Sequence, residues 1–156
     1  MLPDSQTGAG RKPADRRHTR GRAGESLACG YLERRGFEIL QRNFRNRYGE
    51  IDIIARRGSL VAFIEVKTRL AIHHGEPFEA VSPRKQEQIR RMAQMWLAER
   101  AMDRTLRDCE FRFDVISVKI DDRREQSCSG SGLQGKGIPA RGVKESGIEH
   151  LEDAFR

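Results

Sequence analysis

Three ionisable residues interrupt a run of strand formers. In the segment from Gly49 to Arg69, GEIDIIARRGSLVAFIEVKTR, the residues Asp52, Glu65 and Lys67 stand among isoleucine, valine and phenylalanine. A charge buried in such a run is costly unless something pairs with it. Two carboxylates can hold a hard divalent cation such as Mg2+, which accepts a few carboxylate oxygens and keeps several waters. A lysine two residues after the glutamate can touch a phosphate oxygen or orient a water. The blander account is that an E-x-K on a strand is a solvent-face ion pair and that an Asp after a turn serves the turn. Against it, Glu65 and Lys67 continue a face begun by Val61 and Phe63, and that face begins as core.

Side chains on a strand alternate between faces, so residues of like parity belong together. Glu50, Asp52 and Ile54 form one set, and Val61, Phe63, Glu65 and Lys67 another. With an even number of residues in the turn RRGS, Ala55 is expected to pair with Leu60. Asp52 then faces Phe63, and Glu50 faces Glu65. The acids and Lys67 gather at one end of one face, where like-charged carboxylates repel and one is pushed to a raised pKa. Glu25, three residues before Ala28 and seven before Leu32, lies at the edge of a helical apolar stripe that would carry it towards the sheet. A first-turn acid complementing the helix dipole is an equal account of it.

The elements that must position these residues follow from periodicity. Leu27, Ala28, Tyr31 and Leu32 predict an amphipathic helix over 24–35, closed by Gly36. FEILQRNF alternates like a strand over 37–44, followed by the turn RNRYG and strands over 50–55 and 60–68. Ser82-Pro83 is an N-cap and first-turn pair for a second helix whose stripe is Ile89, Met92, Ala93 and Trp96. FRFDVISVKI predicts a strand over 111–120. Residues 1–21 have no apolar period and predict a disordered basic arm. Residues 121–147, rich in Ser, Gly, Lys and Arg, predict a flexible insertion or linker. IEHLEDAF then regains enough apolar character for 148–156 to dock as a last element. Helix, three strands, helix, strand is the order of an α/β or α+β sandwich, helices covering a mixed sheet.

At 156 residues the chain makes one domain by length, with 37% hydrophobic and 34% charged residues. No run of about 18 apolar residues is present to span a membrane, and the first 22 residues lack the apolar core of a secretory signal. Both point to the cytoplasm. Cys29, Cys109 and Cys128 form no C-x-x-C pair, which argues against a disulfide framework or a zinc ribbon. Cys29 sits in the helical stripe as core. His73-His74 could bind metal, though adjacent histidines in a loop are more often exposed polar chain. The net charge of +7 favours a polyanionic partner. Residues 1–22 hold six basic and two acidic residues and residues 121–156 six and seven, so the excess lies in the arm and the core. An arginine-rich coding bias would produce a similar excess.

With these pieces in view, the chain resembles the YraN family, small bacterial proteins assigned to the PD-(D/E)xK nuclease superfamily and similar to archaeal Holliday junction resolvases. The matching stretches are GRAGESLACGYLERRGF, RNFRNRYGEIDIIA, LVAFIEVKTR, EAVSPRKQEQIRRMAQMWL, RFDVISV and IEHLEDAF, covering nearly all of 21–120 and the C-terminal end. The resemblance implies a restriction-endonuclease-like fold, a mixed central sheet flanked by helices, over 22–120. It implies that Asp52 and Glu65 are metal ligands with the Val66 carbonyl, that Lys67 is the catalytic lysine, and that Glu25 completes the site through water. Two departures stand out: Ile51 replaces the proline before Asp52, and the basic arm and the 121–147 segment match nothing.

The resulting expectation is an Mg2+-dependent endonuclease, Mn2+ substituting, that hydrolyses phosphodiester bonds of nucleic acid. The substrate is expected to be DNA, branched or damaged. Arg42, Arg45, Arg47 and Arg69 would grip backbone phosphates; the three in the turn would serve as well as a solvated loop. The resemblance also suggests a homodimer, since resolvase-like proteins pair across a two-fold axis. The rival expectation is a module that keeps the fold to bind nucleic acid without cutting it, and a weaker third is a protein-interaction adaptor.

Overall fold

The computed structural model describes residues 13–70, 81–120 and 147–156. Two helices, α1 (Pro13–Arg34) and α2 (Pro83–Glu99), enclose strands β1 (Glu38–Asn46), β2 (Gly49–Arg57), β3 (Leu60–Leu70), β4 (Glu110–Ile120) and β5 (Ile148–Phe155). The strands form one sheet in the order of the chain. The pairs β1–β2, β2–β3 and β4–β5 are antiparallel, while β3–β4 is parallel. A parallel pair needs a long crossover, and α2 lies within it. This is the mixed sheet flanked by helices expected of a restriction-endonuclease-like α/β fold.

Strand alternation divides the core in two. Ala28, Cys29, Tyr31 and Leu32 of α1 pack on Ile53, Ala55, Ala62, Ile64, Ile116 and Val118. On the other face Ile89, Met92, Ala93 and Trp96 of α2 pack on Ile54, Val61, Phe63 and Val115. The predicted stripes of both helices therefore face the core, buried throughout except for Leu27, which is partly buried at the edge. Trp96 meets Phe63 edge-on at 5.8 Å and donates its indole N–H to Gln41 Oε1 at 2.7 Å, so its polar atom is satisfied inside the core. On the opposite face α1 crosses β3 closely at Gly24, where a Cβ would lie 1.9 Å from Thr68 Oγ1. Only glycine allows that approach, and it brings Glu25 against the sheet.

The basic arm expected over 1–21 is corrected in part. Residues 13–21 are helical, although they carry no apolar stripe. They extend a helix that packing has already nucleated, and lengthening a nucleated helix costs little; Pro13 suits its first position. Residues 1–12, His73, His74, Cys128 and the linker expected over 121–147, except its last residue, lie outside the described residues. The expected docking element is β5, an edge strand on β4.

The hairpin register also differs from the expected one. The turn is Gly58-Ser59, so Arg57 pairs with Leu60, Ala55 with Ala62 and Ile54 with Phe63. Strand β2 runs two residues further into RRGS than apolar residues alone suggested, while β3 begins at Leu60 as expected. The shift is two places, so parity survives and no side chain changes face.

Candidate functional site

Regular β2–β3 pairing stops at Ile53–Ile64. The next hydrogen-bonded rung would join Ile51 to Val66. Instead the Val66 N–H donates to Asp52 Oδ2 at 2.8 Å. The carboxylate takes the place of the missing main-chain partner and sits where the two strands separate. On the observed register Asp52 lies opposite Glu65, not Phe63, and Glu50 is not opposite Glu65. Glu50 pairs with Arg45 at 2.8 Å and is half-exposed, which removes it from the cluster.

Asp52 and Glu65 are 8% and 5% exposed, and each has a distinct environment. Burial, and then the neighbouring Glu65 carboxylate, push the Asp52 carboxyl up to about 7. Glu25 pushes the same way, while the Val66 N–H and Lys85 pull it down. Glu65 continues the Val61–Phe63 face under α2. Its Oε1 accepts a hydrogen bond from Lys67 Nζ at 2.8 Å, and its buried Oε2 stands 3.0 Å from Lys85 Nζ. That second contact lacks hydrogen-bond geometry, so Oε2 has no hydrogen-bond partner.

Glu25 reaches the site from the opposite helix and is 9% exposed. Asn43 Nδ2 donates to its Oε2 at 2.9 Å. Asn43 has a φ of 51°, in the left-handed region where asparagine is the best tolerated residue after glycine, and its amide reaches Glu25 on α1. Asp52, Glu65 and Lys67 thus meet where β2 and β3 diverge, and Glu25 stands near enough to act on Asp52 electrostatically. Among the described residues no group of three or more His, Cys, Asp or Glu is placed to hold a metal ion alone. A cation here would rest on the Asp52 and Glu65 carboxylates and the Val66 carbonyl, the sparse oxygen set that suits Mg2+.

The expected phosphate-gripping arginines scatter. Arg42 donates to Ser26 Oγ at 3.2 Å, and Arg45 to Asn43 Oδ1 at 3.0 Å besides pairing with Glu50. Arg47 lies over the Tyr48 ring, 4.7 Å from its centroid. Arg69 is half-buried on β3 in register with Lys119. The sequence reading missed Lys85 and Asn43. Lys85 left a signal: it precedes Ile89 by four, so a charge stands on the extension of the α2 apolar stripe. Asn43 left none, because it acts through backbone shape.

Comparison with known proteins supplies the family. The model of the uncharacterised protein family UPF0102 matches residues 24–118. A UPF0102 protein of Syntrophotalea carbinolica is 54% identical over 99 residues, 64% of this chain and 77% of that protein. One from Chlorobium phaeobacteroides is 44% identical over 139 residues, 89% and 94% of the two chains. A third, from Rhodococcus opacus, is 40% identical over 135 residues, 86% and 94%. With both helical stripes and strands β1 to β4 essentially inside the matched span, and relatives aligned over most of both chains, the protein belongs to the UPF0102 family, the YraN family that its motifs resemble.

Proposed function

We propose that this protein is a divalent-metal-dependent endonuclease acting on DNA. The observation that carries the proposal is the pairing of two buried acids at the fork of β2 and β3. One is pushed towards neutrality, and the other has a buried oxygen without a hydrogen-bond partner. A protein seldom keeps such a pair unless a ligand completes it. Asp52, Glu65 and the Val66 carbonyl would hold Mg2+ or Mn2+. Bound there, the cation supplies Lewis-acid chemistry for phosphodiester hydrolysis.

The rest of the work falls to side chains. The Val66 N–H fixes the Asp52 carboxylate, so the ligand is oriented before any cation arrives. Lys67, 40% exposed and tethered to Glu65, can swing to a phosphate oxygen, position the attacking water and stabilise negative charge developing on the phosphate. Lys85 neutralises Glu65 from α2 while no cation is present. Asn43 holds Glu25 at the edge of the site, where its carboxylate can accept a hydrogen bond from the water shell.

One observation favours the rival, a nucleic-acid-binding module without cleavage: Glu65 is paired with two lysines, which compete with a cation for it. The experiment that separates them is a cleavage panel with Mg2+ or Mn2+ over linear, flapped and four-way DNA. Cleavage by wild type, abolished in Asp52→Ala and Glu65→Ala, is the expected result. Lys67→Ala should lose cleavage while still binding DNA. Salt-sensitive, metal-independent binding without cleavage would establish the binding module instead, and equal cleavage by Asp52→Ala would place the activity elsewhere.

A further inference from the structure

Next to the acid pair, the β1–β2 turn and the first turns of α2 enclose a cleft of about 540 Å³, lined by Tyr48, Ser82, Arg84, Lys85, Glu87, Gln88 and Arg91. Its walls are pinned together. Gln88 Nε2 donates to the Tyr48 carbonyl at 2.9 Å, and the Gln88 side chain fills the space where a Cβ on Gly49 would lie, 2.3 Å from Nε2. Glycine at position 49 therefore lets the turn close onto α2. Lys85 lines this cleft and also faces Glu65 at 3.0 Å, so the cleft and the acid pair share a wall.

The chemistry of the lining is specific. Three cations, Arg84, Lys85 and Arg91, face a single acid, Glu87, which Arg90 and Arg91 approach at 3.8 and 3.7 Å. Arg84 is exposed and has no ion-pair partner among the described residues. Tyr48, 43% exposed, contributes an aromatic ring with Arg47 stacked on one face. An exposed aromatic face beside a cluster of cations that outnumbers its acid is what binds a strand of nucleic acid whose bases are out of the duplex. A paired base keeps its faces inside the stack and offers none to Tyr48.

We propose that this cleft is a subsite for one unpaired nucleotide adjoining the bond to be cut. Tyr48 stacks on its base, and Arg84 and Arg91 hold its phosphates. This rests on the nuclease reading for what happens at the acid pair, but binding in the cleft needs no metal. It narrows the substrate class to DNA with a single-stranded segment, such as a flap, an overhang or the open centre of a junction.

The test measures anisotropy of a fluorescein-labelled 12-nucleotide oligothymidylate and of a blunt duplex, both in EDTA, with the full chain. Tyr48→Ala should bind the oligothymidylate about tenfold more weakly, the effect of losing one base–aromatic stack. Tyr48→Phe should bind it as wild type does, and neither change should alter duplex binding. The double variant Arg84→Ala/Arg91→Ala should weaken single-strand binding and flatten its salt dependence. Unchanged oligothymidylate binding by Tyr48→Ala, or an equal loss for the duplex, would overturn the subsite. So would displacement of the oligonucleotide by an equal concentration of thymidine monophosphate, which would make the cleft a mononucleotide site. Parallel cleavage assays keep the two readings apart. Cleavage that depends on Asp52 with binding indifferent to Tyr48 sinks only the subsite. Tyr48-dependent binding with no cleavage of any substrate sinks only the nuclease.

Discussion

Two aspartates buried in the same sheet meet opposite fates. Asp114, on β4, is fully buried, yet nothing about it is unsatisfied. Arg112 Nη2 donates to Oδ2 at 2.9 Å and Nε stands 2.8 Å from Oδ1 as an ion pair, His150 Nε2 lies 2.9 Å from Oδ2, and the Asp153 N–H donates to Oδ1 at 3.0 Å. Burial raises its pKa, but those bonds outweigh burial and hold the carboxyl below the usual range. Asp52 has one N–H, one distant lysine and two acidic neighbours, and it is held up near 7. Burial is common to both, so burial does not explain the difference. Partners do. The Asp114 cluster ties β5 and the chain end to the sheet, while Asp52 is left for a ligand to complete.

The contrast predicts stability effects of opposite sign. Asp114→Ala leaves the half-buried Arg112 with Glu152 as its remaining counter-charge and should cost about 3 kcal/mol in urea unfolding, the low end of the penalty for breaking a buried pair. A cost below about 1 kcal/mol would mean that β5 is held by its apolar residues instead. Asp52→Asn should do the reverse in EDTA. Without metal, folded Asp52 keeps up to about pH 7 a proton that the unfolded chain releases near 3.8, so stability is greatest at low pH and declines as pH rises through 7. Between pH 5.5 and 8 that decline amounts to about 2 kcal/mol. Asp52→Asn should abolish it and be the more stable protein at pH 8; an unchanged pH slope would show that Asp52 is not the titrating group. The smallest effect concerns Lys85. Lys85→Met should alter stability by less than about 1 kcal/mol and should tighten Mn2+ binding in calorimetry, because a competitor for Glu65 is gone. Weaker Mn2+ binding would show that Lys85 supports the site rather than guarding it.

Where the sequence was legible, one local rule decided the matter. Helical stripes placed Ile89, Met92, Ala93 and Trp96, and strand parity put Glu65 and Lys67 on the face of Phe63. Parity survived an error of two places in register because faces repeat every second residue. What stayed hidden depends on tertiary geometry. The fork that lets Asp52 cap the Val66 N–H follows from strand divergence, the role of Asn43 from a left-handed backbone, and the Asp114–Arg112–His150 cluster from pairing across the long 121–147 segment. The helical start at Pro13 was missed because it has no apolar stripe to show, only attachment to a helix that does.

The central claim is that Asp52 and Glu65 are a cation site which nucleic acid needs filled. It is tested most directly by titrating labelled flapped DNA into wild type and Asp52→Asn, each in EDTA and in Ca2+. Metal-free wild type presents buried acids where a phosphate must sit, so Ca2+ should tighten its binding by about an order of magnitude, while Asp52→Asn binds better than wild type in EDTA and gains much less from Ca2+. Four equal dissociation constants would contradict the account.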